Sequence, residues 1–169
     1  MRRAMLESLP SRATCEHPAL DALLKAKFHA VRYVWLRRRN KVAQGISHFR
    51  ASRTNVWEVP RGQSTTGKCV GFDLAAIDHC VELAEQYEVQ WAEFFTRWNL
   101  RPLLLTYEDL AASYDASLRS VLDFLGLDHT ALPTLVPWSE RLADGLSLEW
   151  EKRYRRETAR YPAAGKESV

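Results

Sequence analysis

The sequence predicts an α/β fold, mostly helical, with a small parallel sheet. Two short apolar runs, Arg32-Tyr33-Val34-Trp35-Leu36 and Pro102-Leu103-Leu104-Leu105-Thr106, read as strands. Segments with a helical period separate and follow them, so the strands pair in parallel across a helical crossover. The composition, 46% hydrophobic and 27% charged over 169 residues, suits one globular domain, residues 1–169, with a core of its own.

The elements follow in order. Residues 1–18 contain Pro10 and Pro18 and predict an irregular or partly helical lead-in. Asp21 caps a short helical pattern through Leu23, Leu24 and Phe28. The run from Arg32 to Leu36 is a buried strand. From Asn40 to about Arg53, Val42, Ile46 and Phe49 share one helical face, and Asn40 is the natural N-cap. Val59 to Phe72, with Pro60, Gly62, Gly67 and Gly71, is the longest loop. Asp73 caps a long helix whose apolar stripe is Ile77, Val81, Ala84, Trp91, Phe95 and Trp98. The run from Pro102 to Thr106 is a second buried strand, ended by Tyr107-Glu108-Asp109-Leu110. A helix from about Ser113 to Leu125 stops at Gly126, and a basic helix runs from near Ser147 to Arg160. Two strands cannot cover both faces of a parallel sheet or bury its edges, so the fold reads as incomplete.

Charge and cysteine usage narrow the function classes. The 24 Lys and Arg against 21 acids give a net charge of +3, a weak preference for anionic partners. The basic residues gather at Arg37, Arg38, Arg39 and Lys41 and again at Lys152, Arg153, Arg155 and Arg156. Cys15, Cys69 and Cys80 show neither a disulfide framework nor zinc-ligand spacing, which fits a cytoplasmic protein without a metal. His17, His29, His48, His79 and His129 are scattered without ligand spacing. No run reaches the roughly 18 to 20 apolar residues of a membrane span, so no membrane anchor is expected.

One segment carries chemistry. In Leu36-Arg37-Arg38-Arg39-Asn40-Lys41-Val42-Ala43-Gln44-Gly45-Ile46-Ser47 a strand ends in guanidinium groups and a helix starts at once. Helix N-termini favour anions, and the Arg fork matches phosphate oxygens. Ser47 lies two turns on and reaches the same anion only if a phosphate lies along the helix flank. The same residues also read as a solvated basic turn followed by an ordinary helical serine, and composition alone leaves both readings open. Gly62-Gln63-Ser64-Thr65-Thr66-Gly67-Lys68-Cys69 has Walker A spacing, with Cys69 in place of the magnesium-binding Ser or Thr. It is rejected as a nucleotide loop: Pro60 and Arg61 precede it instead of a buried strand, and Val70-Gly71-Phe72 intervenes before the next helix.

Arg38-Arg39-Asn40-Lys41-Val42-Ala43-Gln44-Gly45-Ile46-Ser47, then Phe49-Arg50-Ala51 and Thr54-Asn55-Val56-Trp57, resembles the central block of the bacterial trehalose 2-sulfotransferase-like (Stf-zero type) family. The resemblance continues through Phe72-Asp73, Trp91 to Phe95, Thr106-Tyr107-Glu108-Asp109-Leu110, Val121-Leu122-Asp123-Phe124-Leu125-Gly126, Arg141-Leu142-Ala143-Asp144 and Glu149-Trp150, about residues 20–158. It implies a truncated sulfotransferase fold of the P-loop type and transfer of a sulfuryl group from 3′-phosphoadenylyl sulfate (PAPS) to a carbohydrate or glycolipid hydroxyl. By position, it implies that Arg39 and Ser47 bind the 3′-phosphate, that Tyr107 lies against the adenine, and that Arg141 completes the pocket. Tyr107 reads equally as the tyrosine that ends a core strand, and Arg141 as a surface ion pair.

The resemblance also implies what this sequence lacks: a Gly-, Ser- and Thr-rich loop for the 5′-phosphosulfate and an acidic general base just after it, both in an N-terminal region, so the catalytic residues are unassigned. A gene fragment or misplaced start, a decayed paralogue, and a module completed by another chain each account for that, and the first is simplest. Family members can pair, so the resemblance also implies that a homodimer is possible, and it leaves the oligomeric state open. Two alternatives stand beside the enzyme: an inactive fragment that only binds a 3′-phosphoadenosine nucleotide, and a basic helical nucleic-acid binder. Modest net charge and the absence of any helix-turn-helix, zinc or RNA-binding signature count against nucleic acid as a partner.

Overall fold

The computed structural model of the protein describes residues 26–27, 31–62, 70–140 and 145–160. The predicted lead-in and nearly all of the helix at Asp21 lie outside these residues, as do residues 63–69 of the Walker-like segment. Strands β1 (Val34–Arg37) and β3 (Leu103–Thr106) pair in parallel, Val34 opposite Leu103 through Arg37 opposite Thr106. A second ladder joins β2 (Val59–Pro60) to β4 (Ser139–Glu140), antiparallel. Among the described residues the ladders are accompanied by helices α1 (Lys41–Thr54), α2 (Leu74–Arg97), α3 (Tyr107–Ala112), α4 (Tyr114–Leu125) and α5 (Gly145–Arg160). This is the predicted α/β class, mostly helical around a small parallel sheet.

Local chemistry sets the helix ends. Asn40 Oδ1 accepts the Ala43 amide at 3.0 Å to start α1, and Asp73 Oδ1 accepts the Ala76 amide at 3.1 Å to start α2. Gly126, at φ +71°, ends α4 in the left-handed conformation that glycine adopts without a steric penalty. Helix α2 begins six residues beyond Lys68, whereas a phosphate-cradling loop needs its lysine at the helix start.

The core lies where α1 crosses α2 beneath α5. Ile46, Phe49, Ile77, Val81, Trp150 and Tyr154 are buried together, with Val42, Phe72 and Leu74 packed against them. The close approach needs Gly45: a Cβ there would lie 2.5 Å from Val81 Cγ2 and 2.9 Å from the Val81 amide nitrogen. Helix α5 is held by Trp150, whose ring stands 6.1 Å from Phe49 and 5.7 Å from Phe72, and by the Tyr154 hydroxyl, which donates to Asp78. Burial and the Asp78 carboxylate push the Tyr154 phenol above its ordinary range.

Three expectations are corrected. The strands are half-buried. Tyr33 and Trp35 pack on Phe94 and Phe95 of α2, with centroids of 5.9 Å for Tyr33–Phe95 and 5.2 Å for Trp35–Phe95. Leu36 and Leu104 nevertheless stay 52% and 56% exposed, because two strands offer more apolar surface than one helix covers. In α2, Phe94 is buried with Phe95, while Trp91 is 50% exposed and stacks on Phe95 from the rim. The loop expected from Val59 to Phe72 opens with a strand, since Val59 and Pro60 pair with β4 and the Arg61 amide donates to Trp138 O at 3.1 Å.

Candidate functional site

The parallel register decides where the chemistry gathers. With Arg37 opposite Thr106, both strands leave the sheet at the same edge, so the turn Arg38-Arg39-Asn40 meets the first turn of α3. There the two segments lock together. Glu108 accepts the backbone amides of Arg39 and Asn40, one on each carboxylate oxygen, both at 3.1 Å. Arg39 Nη2 donates to Asp109 Oδ1 at 2.9 Å. Asp109 is itself fixed by a reciprocal cap, in which the Thr106 hydroxyl donates to Asp109 Oδ2 at 2.6 Å and accepts the Asp109 amide at 3.1 Å. The Arg38 guanidinium lies 4.4 Å from the centre of the Tyr107 ring, in cation–π range.

The remaining cations of the turn are tied from other helices. Arg37 and Lys41 both bind Glu88 of α2, and the Arg37 guanidinium lies 4.8 Å from the Trp35 ring centre. Asn40 Nδ2 donates to Glu151 of α5 at 2.9 Å, and Arg155 Nη2 donates to the same Glu151 oxygen at 2.8 Å. Burial opposes ionisation of Glu88, Glu108 and Glu151, but the hydrogen bonds they accept outweigh it and hold all three carboxyls below the usual glutamate range. Hydrogen bonds from Thr106 and Arg39 lower Asp109 likewise. Arg37, Arg38, Arg39, Lys41 and Arg155 face Glu88, Glu108, Asp109 and Glu151, so the cluster keeps one excess positive charge.

Arg39 is the cation of the turn most open to solvent, its side chain 61% exposed. Asp109 takes one of the five N–H donors of the guanidinium. Ser47 is half-buried two turns along α1. At 1.5 Å per residue it lies about 10 Å from Asn40 along the axis. Positions 40, 44 and 47 share one side of a helix, so Ser47 shares a flank with Asn40 and Gln44. The structure therefore brings Arg39 and Tyr107 to one strand edge and sets Ser47 up the adjoining helix flank. Arg141 lies outside the described residues.

Sequence reasoning missed the four carboxylates. The Thr106-x-x-Asp109 spacing is a capping-box signature and marks the start of α3. Glu88 and Glu151 carry no such signal, because their partners come from helix packing. Among the described residues, no three His, Cys, Asp or Glu side chains gather as a metal site, and no helix is long and apolar enough to cross a membrane.

A parallel strand pair whose shared edge carries an arginine turn and a capped helix start defines an α/β protein with basic side chains gathered at one end of its sheet. Residues 3–157 match the Stf0 sulphotransferase family, and the chain belongs to that family. It is 32% identical over 127 residues to the trehalose 2-sulfotransferase of Mycolicibacterium smegmatis, an alignment covering 75% of this chain and 46% of that protein. It is 31% identical over 128 residues to the trehalose 2-sulfotransferase of Mycobacterium tuberculosis strain Erdman, covering 76% and 47%. The chain thus spans about half the length of these relatives.

Proposed function

We propose that this single-domain chain binds the adenosine end of PAPS in a sulfotransferase that acts on a carbohydrate or glycolipid hydroxyl. The observation that carries the reading is Arg39: an exposed guanidinium on a turn held by Glu108, directly before a helix capped by Asn40. The forked Arg39 guanidinium belongs to the turn that leads into the N-terminal end of a 14-residue helix, a pairing of the kind that suits a phosphate. Arg39 binds the 3′-phosphate from the turn and Ser47 from the helix flank. The Tyr107 ring lies against the adenine, with Arg141 completing the pocket. PAPS supplies the sulfuryl group: the acceptor oxygen bonds to sulfur, the bond from sulfur to the bridging oxygen of the 5′-phosphate breaks, and the hydroxyl proton passes to a base. Arg39 and Ser47 serve that reaction by binding and orienting the nucleotide, a contribution of position rather than of proton transfer. The names of the two mycobacterial relatives support a sugar as the acceptor.

The ion pairs of the basic turn leave little surplus charge for a polyanion, which favours a nucleotide over nucleic acid. Calorimetric titration of the chain with 3′-phosphoadenosine 5′-phosphate tests the reading. Arg39→Ala should weaken binding by roughly 1.5–3 kcal/mol, the worth of a charged hydrogen bond. Ser47→Ala should weaken it by less, roughly 0.5–1.5 kcal/mol. A folded wild-type chain that takes up no nucleotide sinks the proposal.

A further inference from the structure

We propose that Glu108 is a positioning residue for nucleotide binding: its carboxylate fixes the Arg38-Arg39-Asn40 turn in the shape that presents Arg39 to a phosphate. This rests on the reading of Arg39 just given. The motive is geometric. Two successive backbone amides, Arg39 N and Asn40 N, converge on the two oxygens of one side chain at equal distances of 3.1 Å. Such a pair fixes the peptide plane between the residues, and with it the direction in which the Arg39 side chain leaves the backbone. Glu108 is suited to the task because its side chain is 28% exposed, less than half the exposure of Arg39. Its backbone is anchored in α3 through the Thr106–Asp109 cap.

Asp109 completes the arrangement by holding one arm of the guanidinium. The Arg39 Nε lies 3.8 Å from Glu108 Oε2, too far for a hydrogen bond. Glu108 therefore acts on Arg39 chiefly through the backbone, and Asp109 acts on the side chain. The same carboxylate that shapes the turn also lies near the guanidinium, so its charge alone would weaken phosphate binding. The two effects have opposite signs. Positioning wins if removing the charge while keeping the shape lowers affinity, and simple charge competition wins if it raises it.

The test is Glu108→Gln in the full 169-residue chain, with Arg39→Ala beside it, titrated with 3′-phosphoadenosine 5′-phosphate and with adenosine 5′-phosphate. Glutamine is nearly isosteric but accepts only one of the two amides. The loss of one charge-assisted hydrogen bond at the turn should weaken the bisphosphate about tenfold. The monophosphate should change little, so the preference between the ligands should narrow. A general loss of stability would weaken both ligands alike and leave the preference intact. Backbone amide spectra without ligand give an independent readout: the Arg39 and Asn40 proton resonances should move upfield in Glu108→Gln while those of the α1 and α2 core stay in place.

An unchanged or raised bisphosphate affinity in Glu108→Gln, with Arg39→Ala still damaging, overturns the positioning role and leaves the phosphate site standing. Arg39→Ala without effect on either ligand overturns the phosphate site itself. In that case the amide shifts alone decide whether Glu108 holds the turn, and unmoved Arg39 and Asn40 resonances end that claim too.

Discussion

Gly45→Ala tests the helix crossing on which the site depends. The added methyl would meet Val81 Cγ2 at 2.5 Å, Val81 N at 2.9 Å and Val81 Cα at 3.2 Å. The first contact could be relieved by a rotamer change at Val81. The other two involve backbone, so α1 and α2 must move apart by several tenths of an ångström through a core containing Ile46 and Ile77, both essentially fully buried. Overpacking of this kind costs about 1–3 kcal/mol, and the backbone clash puts this case at the upper end. Alanine returns about 1 kcal/mol of helix propensity. The net loss is roughly 1–2 kcal/mol, which for a chain of this size lowers Tm by roughly 2–8 °C. Thermal and urea unfolding of Gly45→Ala, Val81→Ala and the double variant measure it. Val81→Ala should relieve only part of the cost, because it removes Cγ2 but leaves the amide nitrogen. Stability of Gly45→Ala equal to wild type, or complete relief by Val81→Ala, would refute the claim that backbone contact sets the crossing.

Two other perturbations follow from side chains that join distant elements. Glu88 has a folded pKa below its unfolded one, so its contribution is present above the ordinary glutamate pKa and is lost as pH falls through the folded value. Glu88→Gln should therefore flatten the fall of the urea midpoint between neutral pH and acid, and an unaltered acid limb would show that Arg37 and Lys41 contribute nothing through it. Arg119 donates to the carbonyls of His129, Leu132 and Pro133 at 3.0–3.2 Å and pairs with Asp115 one turn earlier in α4. Arg119→Ala should raise hydrogen exchange across residues 129–135 by about tenfold while α1 stays protected, as expected where local opening is separate from global unfolding.

What the sequence disclosed depended on the range of the interaction. The Asn40 and Asp73 caps, the Gly126 stop and the strand runs were legible because each is decided within a few residues. Ile46, Phe49, Ile77 and Val81 were legible as core from their helical spacing. Burial of the strands was not, because it depends on how much of Leu36 and Leu104 a neighbour covers, and apolar character alone does not settle that. Trp91 was misplaced for a related reason: a 24-residue helix contacts different partners along its length, so one stripe does not describe it all. The basic cluster was visible, but its near-neutrality was not. Glu88, Glu108 and Glu151 reach it only after α2, α3 and α5 have taken their places.

The parallel pairing of β1 with β3 also has a kinetic consequence. Glu108 meets the turn from 69 residues away, and no hairpin can shorten that search. The intervening chain must lose its loop entropy before Arg37 comes to face Thr106, and α1 docked on α2 is what brings the ends near. Contacts that close so long a loop are expected to form late in folding and to open early. The anion proposed to bind at that edge would then slow unfolding more than it speeds folding.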